Sequence, residues 1–211
     1  MPRQRINVEK VRYPFIRDGV VNEARFLENM NTFILKEVNS VFDEGWDLRD
    51  FLGKGGRKQS WTNIARWNYC LNNFEKEITW IDFREKSGKG EFRKRQLQAI
   101  CAMNIKKVTG SNVANSKNIQ TIAREDSVYL KKQLDIYSKS RYVICCGTPT
   151  GMLLRTQILK FPGKWDITNR GIYYKPIDDT VYINFFHPSA RIDDCVLFYA
   201  LQDAVREIRT R

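Results

Sequence analysis

The chain is poor in the residues that most often mark a reaction centre. One histidine, His187, occurs among 211 residues. The five cysteines, Cys70, Cys101, Cys145, Cys146 and Cys195, form no CxxC pair. Zinc and iron–sulfur sites usually bring close-spaced ligand pairs, so no metal or cofactor is expected. An odd count also argues against a complete set of intrachain disulfides, and reduced thiols packed in a core are the simpler expectation. No apolar run approaches the roughly 20 residues that span a bilayer. The opening stretch MPRQRINVEKVRYPF lacks the apolar segment of a signal peptide, so a cytoplasmic protein is expected. The glycine-rich stretch GKGGRKQ, residues 53 to 59, is followed by no GKS or GKT, which argues against a P-loop. There is no internal repeat and no low-complexity tract.

What the chain does have is positive charge. The net charge is +12, with an isoelectric point near 9.6. Such a surface attracts polyanions, with nucleic acid the first candidate and acidic membrane the second. Hydrophobic residues make up 42%, enough for a core, and the length suits a single domain, 1–211, with 1–30 as a basic, partly helical extension.

Strand and helix patterns alternate. NTFILKEVN, residues 31 to 39, reads as a buried strand and a turn. SWTNIARWNYCLNNF reads as a helix with Ser60 as a plausible N-cap. SGKGEFRKR, residues 87 to 95, reads as a second basic loop leading into a helix that ends near Ile100. ICAMNIKKVTG opens apolar and turns polar, like a strand running out into a loop. A long amphipathic helix is expected over 119–137, then the apolar strand RYVICCG, then the strand Val181–Phe186 and a last helix over 193–209. This is the pattern of a parallel sheet covered by helices. The expected fold is a three-layer α/β/α sandwich around a four-stranded, mainly parallel sheet.

In such a sheet ligands bind beyond the C-terminal strand ends. Three ends stand out: Glu37–Asn39, Asn104–Lys107 and His187–Arg191. They bring together a carboxylate, an amide and an imidazole. An amide can read a base edge, an imidazole can donate to developing negative charge, and a carboxylate can position water. Taken singly, each residue also has a plain structural reading as a turn, solvated or loop side chain.

The order of these elements resembles the uracil-DNA glycosylase superfamily over residues 32 to 209. INFFHPSAR matches that family's last signature, an apolar strand followed by His-Pro-Ser. AMNIKKVTG resembles its middle one, a strand ending in Asn followed by a basic position. LKKQLDIYSKSRYVICCG follows the long helix and Gly-terminated strand between them. FILKEVN is the nearest candidate for its first, Gly- and Pro-containing loop.

The resemblance implies a four-stranded parallel sheet and an enzyme that flips a nucleotide out of DNA and hydrolyses the base–sugar bond. It implies that His187 hydrogen-bonds the departing uracil, that Asn104 reads its edge and that Glu37 orients the water. Lys107 is the basic position after the middle motif, Ser189 belongs to His-Pro-Ser, and Arg191 stands where the family has its minor-groove wedge. Asn39 lies near the first loop's last glycine. Trp61 or Trp67 is a candidate for stacking on the base, against the plain reading of two core tryptophans. The implied partner is DNA, single- or double-stranded, with no membrane and a monomer favoured. The sequence departs from the family where Lys36 and Val38 replace small or cyclic residues of the first loop. Val108 stands where some relatives carry a cluster cysteine, so no cluster is implied. A second reading therefore stays open, a module that binds nucleic acid or a base without cleaving it. An unrelated basic α/β protein is the third.

Overall fold

The computed structural model describes residues 15–38, 46–108, 116–137 and 139–211, and only the backbone of Gln59. The strands are β1 (Gly19–Val20), β2 (Asn31–Leu35), β3 (Ile100–Asn104), β4 (Tyr142–Cys146), β5 (Asp166–Ile167), β6 (Tyr173–Ile177) and β7 (Thr180–Phe185). The helices are α1 (Glu23–Asn29), α2 (Leu48–Gly53), α3 (Lys58–Leu71), α4 (Trp80–Gly88), α5 (Gly90–Gln98), α6 (Ser116–Glu125), α7 (Ser127–Ile136), α8 (Thr148–Leu153) and α9 (Asp194–Thr210). A π-helical turn, Leu154–Leu159, continues α8.

One sheet runs β1-β3-β2-β4-β7-β6-β5. Its four central strands, β3, β2, β4 and β7, pair in parallel. β1 joins one side antiparallel, and β6 and β5 join the other. The expectation of a four-stranded, mainly parallel sheet is corrected to a seven-stranded mixed one. The added strands come from short local connections. β6 and β7 form a hairpin across Asp178 and Asp179, with Asp178 in the left-handed region at φ 51°. Part of the expected N-terminal extension supplies β1.

Every residue of β2, β3 and β4 is buried, as strands covered on both faces must be. Alternation sends Phe33, Ile100, Ala102, Tyr142, Ile144, Ile183 and Phe185 to one core with residues of α2, α3, α4, α5 and α9. It sends Ile34, Met103, Val143 and Cys145 to the other, with residues of α6, α7, α8 and the π turn. Helices thus cover both faces of the sheet. Cys70, Cys101, Cys145 and Cys146 are buried free thiols, and Cys195 is half-buried.

Three helix boundaries differ from expectation. The helix expected over 119–137 is two, broken at Asp126, whose backbone sits at φ −89°, ψ 8°. The residues 87–95 are not a loop. They lie in α4 and α5, separated by Lys89 alone, whose extended backbone at ψ 140° is set between Gly88 and Gly90. Glycine is a poor helix former, so one helix yields to two there. Helix α3 begins at Lys58 after an Arg57 cap, so Ser60 lies inside the helix and is not its N-cap.

Candidate active site

Because β3, β2, β4 and β7 run the same way, their C-terminal ends share one edge of the sheet. Asn104 ends β3 and pairs in register with Leu35, the last residue of β2. Lys36 and Glu37 follow at once, and the backbone there continues the ladder through a bond from the Lys106 amide to the Lys36 carbonyl, 2.8 Å. His187 lies two residues past the end of β7. Beside it, Gly147 follows the last residue of β4 with φ 103°, a conformation that suits glycine. A Cβ at Gly147 would lie 3.7 Å from the Cβ of His187. Glu37, Asn104 and His187 are therefore on one edge. Asn104 and His187 stand three strand positions apart, about 14 Å at the backbone.

The tautomer of His187 follows from one bond. The Ser189 amide donates to its Nδ1 at 3.1 Å. A neutral imidazole accepting at Nδ1 carries its proton on Nε2 and can donate from there. Partial withdrawal from water, and then the neighbouring Lys36 ammonium, hold its pKa below the usual histidine value. The ring is thus kept neutral at pH 7, with Nε2–H as its donor.

Glu37 is nearly buried, its side chain 6% exposed, and its Oε2 accepts from Lys106 Nζ at 2.7 Å. This fixes the carboxylate in place. Asn104 is buried, and its backbone amide donates to Asp18 Oδ2 at 2.7 Å, with its side-chain amide at 3.5 Å from the same oxygen. Asp18 also accepts from Lys107 Nζ at 2.9 Å and from Gln133 Nε2 at 2.8 Å. Burial pushes the Lys107 ammonium below the usual lysine value, against the pull of Asp18. Lys107 is thus committed to a buried network and is not a free basic position.

The His187–Arg191 loop is braced by α3 and α9. Ser60 and Ser189 share a hydrogen bond between hydroxyls at 2.5 Å. Asn63 Nδ2 donates to the Pro188 carbonyl and to Asp194 Oδ1, each at 2.9 Å. Arg66 Nη1 donates to Asp194 Oδ2 at 2.5 Å, its Nε to Ser87 at 3.0 Å, and its guanidinium lies 5.1 Å from the Trp80 ring centre. Arg191 is exposed on the braced loop. Trp61 packs at the margin of the core, where a Cβ on Gly56 would come 3.0 Å from its ring. Trp67 is fully buried edge-on to Phe185 at 5.1 Å. Trp67 is thus a core tryptophan, whereas Trp61 is half-buried. Asn39 lies outside the described residues.

Sequence reasoning missed Asp18, Lys106, Asn63, Arg66 and Asp194. The one available signal was in NIARWN, where Asn63 and Arg66 sit three apart on a helix and so share a face. Among the described residues no group of His, Cys, Asp and Glu could hold a metal ion. No helix among them is long and apolar enough to cross a membrane. No protein-family model and no curated protein matches the chain.

Proposed function

We propose that the chain is a DNA glycosylase of the uracil type, hydrolysing the bond between a flipped-out base and its sugar. The observation that carries this reading is His187. It is held neutral with Nε2–H free to donate, on the sheet edge that also bears Glu37 and Asn104. As the C1′–N1 bond breaks, its electron pair departs with the base. Nε2–H of His187 donates to the base oxygen on which that charge collects, an interaction stronger in the transition state than before it. Glu37, fixed by Lys106, holds the water whose oxygen bonds to C1′, and the water's proton passes to the carboxylate. Asn104 turns its amide from the long contact with Asp18 toward the edge of the base. Ser189 and Arg191 meet the DNA on the braced loop.

A second reading rests on the first loop. The Lys106 ammonium occupies one oxygen of Glu37, and Lys36 and Val38 stand where the family's first loop has small or cyclic residues, with Val38 packed against the core. These favour a module that binds a base without cleaving it. One experiment separates the two. Uracil-containing single- and double-stranded oligonucleotides are incubated with the protein and then treated with alkali. Strand breaks at uracil are expected. Binding of the same oligonucleotides without breaks would replace the enzyme by the binding module.

A further inference from the structure

A groove of about 570 Å³ lies beside α4 and α5, with Arg25, Lys86, Lys89, Lys94, Arg95 and the carboxylate of Glu91 in its lining. Five cations face one carboxylate there, a net +4 of the chain's +12. Arg25 belongs to α1, which leads into the N-terminal end of β2, and Gln98 stands two residues before the N-terminal end of β3. This end of the groove therefore sits at the far edge of the sheet from His187. A five-residue strand separates the edges by about 16 Å.

The charges in the groove are largely uncommitted. Among the described residues Arg25, Lys94 and Arg95 form no ion pair. Lys89 reaches Glu85 only at 3.4 Å, between two exposed side chains. Lys86 lies over the Tyr69 ring at 5.5 Å. Elsewhere the fold does pair its cations: Lys106, Lys107 and Arg66 each meet a carboxylate. Unpaired like charges gathered in one concavity repel one another, and a polyanion relieves that repulsion while releasing its own counterions. Phe92 closes the lining from within, its ring packed against Tyr69 and Phe83, each at 5.7 Å, so the groove offers charge to a phosphate backbone.

We infer that this groove is a second nucleic-acid site, which takes the phosphate backbone of a single strand apart from the sheet edge that bears His187. It goes beyond the glycosylase reading, because it needs no base to be excised. A chain held at both places spans the molecule, so affinity rises with length once both are reached.

The test is fluorescence anisotropy of an undamaged labelled single-stranded oligonucleotide across a salt series. Arg25, Lys89 and Arg95 are exposed, so R25A/K89A/R95A leaves the core untouched. The triple variant should bind on the order of tenfold more weakly near 0.1 M salt. Its log–log salt slope should be shallower by about 2, at roughly 0.7 per lost phosphate contact. Glu91→Lys should act oppositely, with tighter binding and a steeper slope. Wild-type slope and affinity in both variants would overturn the groove. So would binding to phosphatidylserine vesicles with none to the oligonucleotide. Alkali-revealed excision is scored in parallel on the same oligonucleotide carrying one uracil. A wild type that excises nothing while the triple variant loses affinity leaves the groove standing and removes the glycosylase. Excision by the wild type with unchanged binding by both variants does the reverse.

Discussion

The imidazole of His187 is controlled by two neighbours, the Ser189 amide at Nδ1 and the Lys36 ammonium. If it donates to the departing base, His187→Ala should remove about 2.7–4 kcal/mol of transition-state stabilisation, the scale of one lost oxyanion donor. The side chain is exposed and outside the core, so the melting temperature should hardly move. A variant that melts earlier yet excises at the wild-type rate would make the histidine structural. The pKa direction gives a second test. Since the folded value lies below the ordinary one, the neutral donor persists as the pH falls past about 6.5, and the acid limb of kcat/KM lies below that point. Lys36→Gln removes one of the two causes, so its acid limb should move up. The sign for stability agrees: the unfolded chain binds this proton more readily, so the histidine's contribution is full above the unfolded pKa and is lost as the pH falls through the folded one. An acid limb that ignores Lys36→Gln would show that burial alone lowers the histidine, and the limb's absence from His187→Gln would then be needed to tie it to the imidazole.

Two polar networks hold the elements around the site, and each can be broken at one residue. Asp18, before β1, ties β3 and α7 through Asn104, Lys107 and Gln133, and its side chain is only 2% exposed. Asp18→Ala leaves the Lys107 ammonium buried without its carboxylate, which costs about 3–5 kcal/mol. Urea denaturation measures that loss, and one below about 1 kcal/mol would mean that water replaces the pair. On the other side of the sheet, Asn63, Arg66 and Asp194 join α3 to α9 and to the His187–Arg191 loop. Asp194→Ala should destabilise by less, about 2 kcal/mol, because Arg66 is buried while Asp194 is 47% exposed. Packing supplies a third case. Gly151 of α8 lies against the Asn184 amide, and a methyl group there would run into it. Gly151→Ala should therefore cost about 1–3 kcal/mol by overpacking, read as a lower melting temperature.

At the scale of the whole molecule the dominant property is charge. Binding to DNA should weaken on the order of a hundredfold between about 50 and 200 mM salt, as Lys and Arg release phosphate counterions. A salt titration with a flat response would remove nucleic acid as the partner. The positive charge is not spread evenly over working surface. Lys106, Lys107 and Arg66 are spent on internal ion pairs, whereas Arg25, Lys89, Lys94 and Arg95 line a groove.

Local chemistry made much of this readable in advance. The runs FIL, ICAM and YVICC are short, apolar at successive positions and alternate with helical segments, as strands covered on both faces do, so the α/β class and the polar residues at the strand ends were legible. Their common direction made a shared edge for Glu37, Asn104 and His187 an expectation before any coordinates. The three extra strands were not legible, because β1 and β5 are two residues each and carry no period, and β6 contains Pro176, which argues against a strand. Nor were the partners of the charges. Asp18 and Lys107 are 89 positions apart, and Arg66 and Asp194 are 128 apart. Hydrophobic pattern is a property of neighbours along the chain, and it sets which faces are buried. Which carboxylate meets which cation inside depends on how those faces pack, and that was decided only by the tertiary fold.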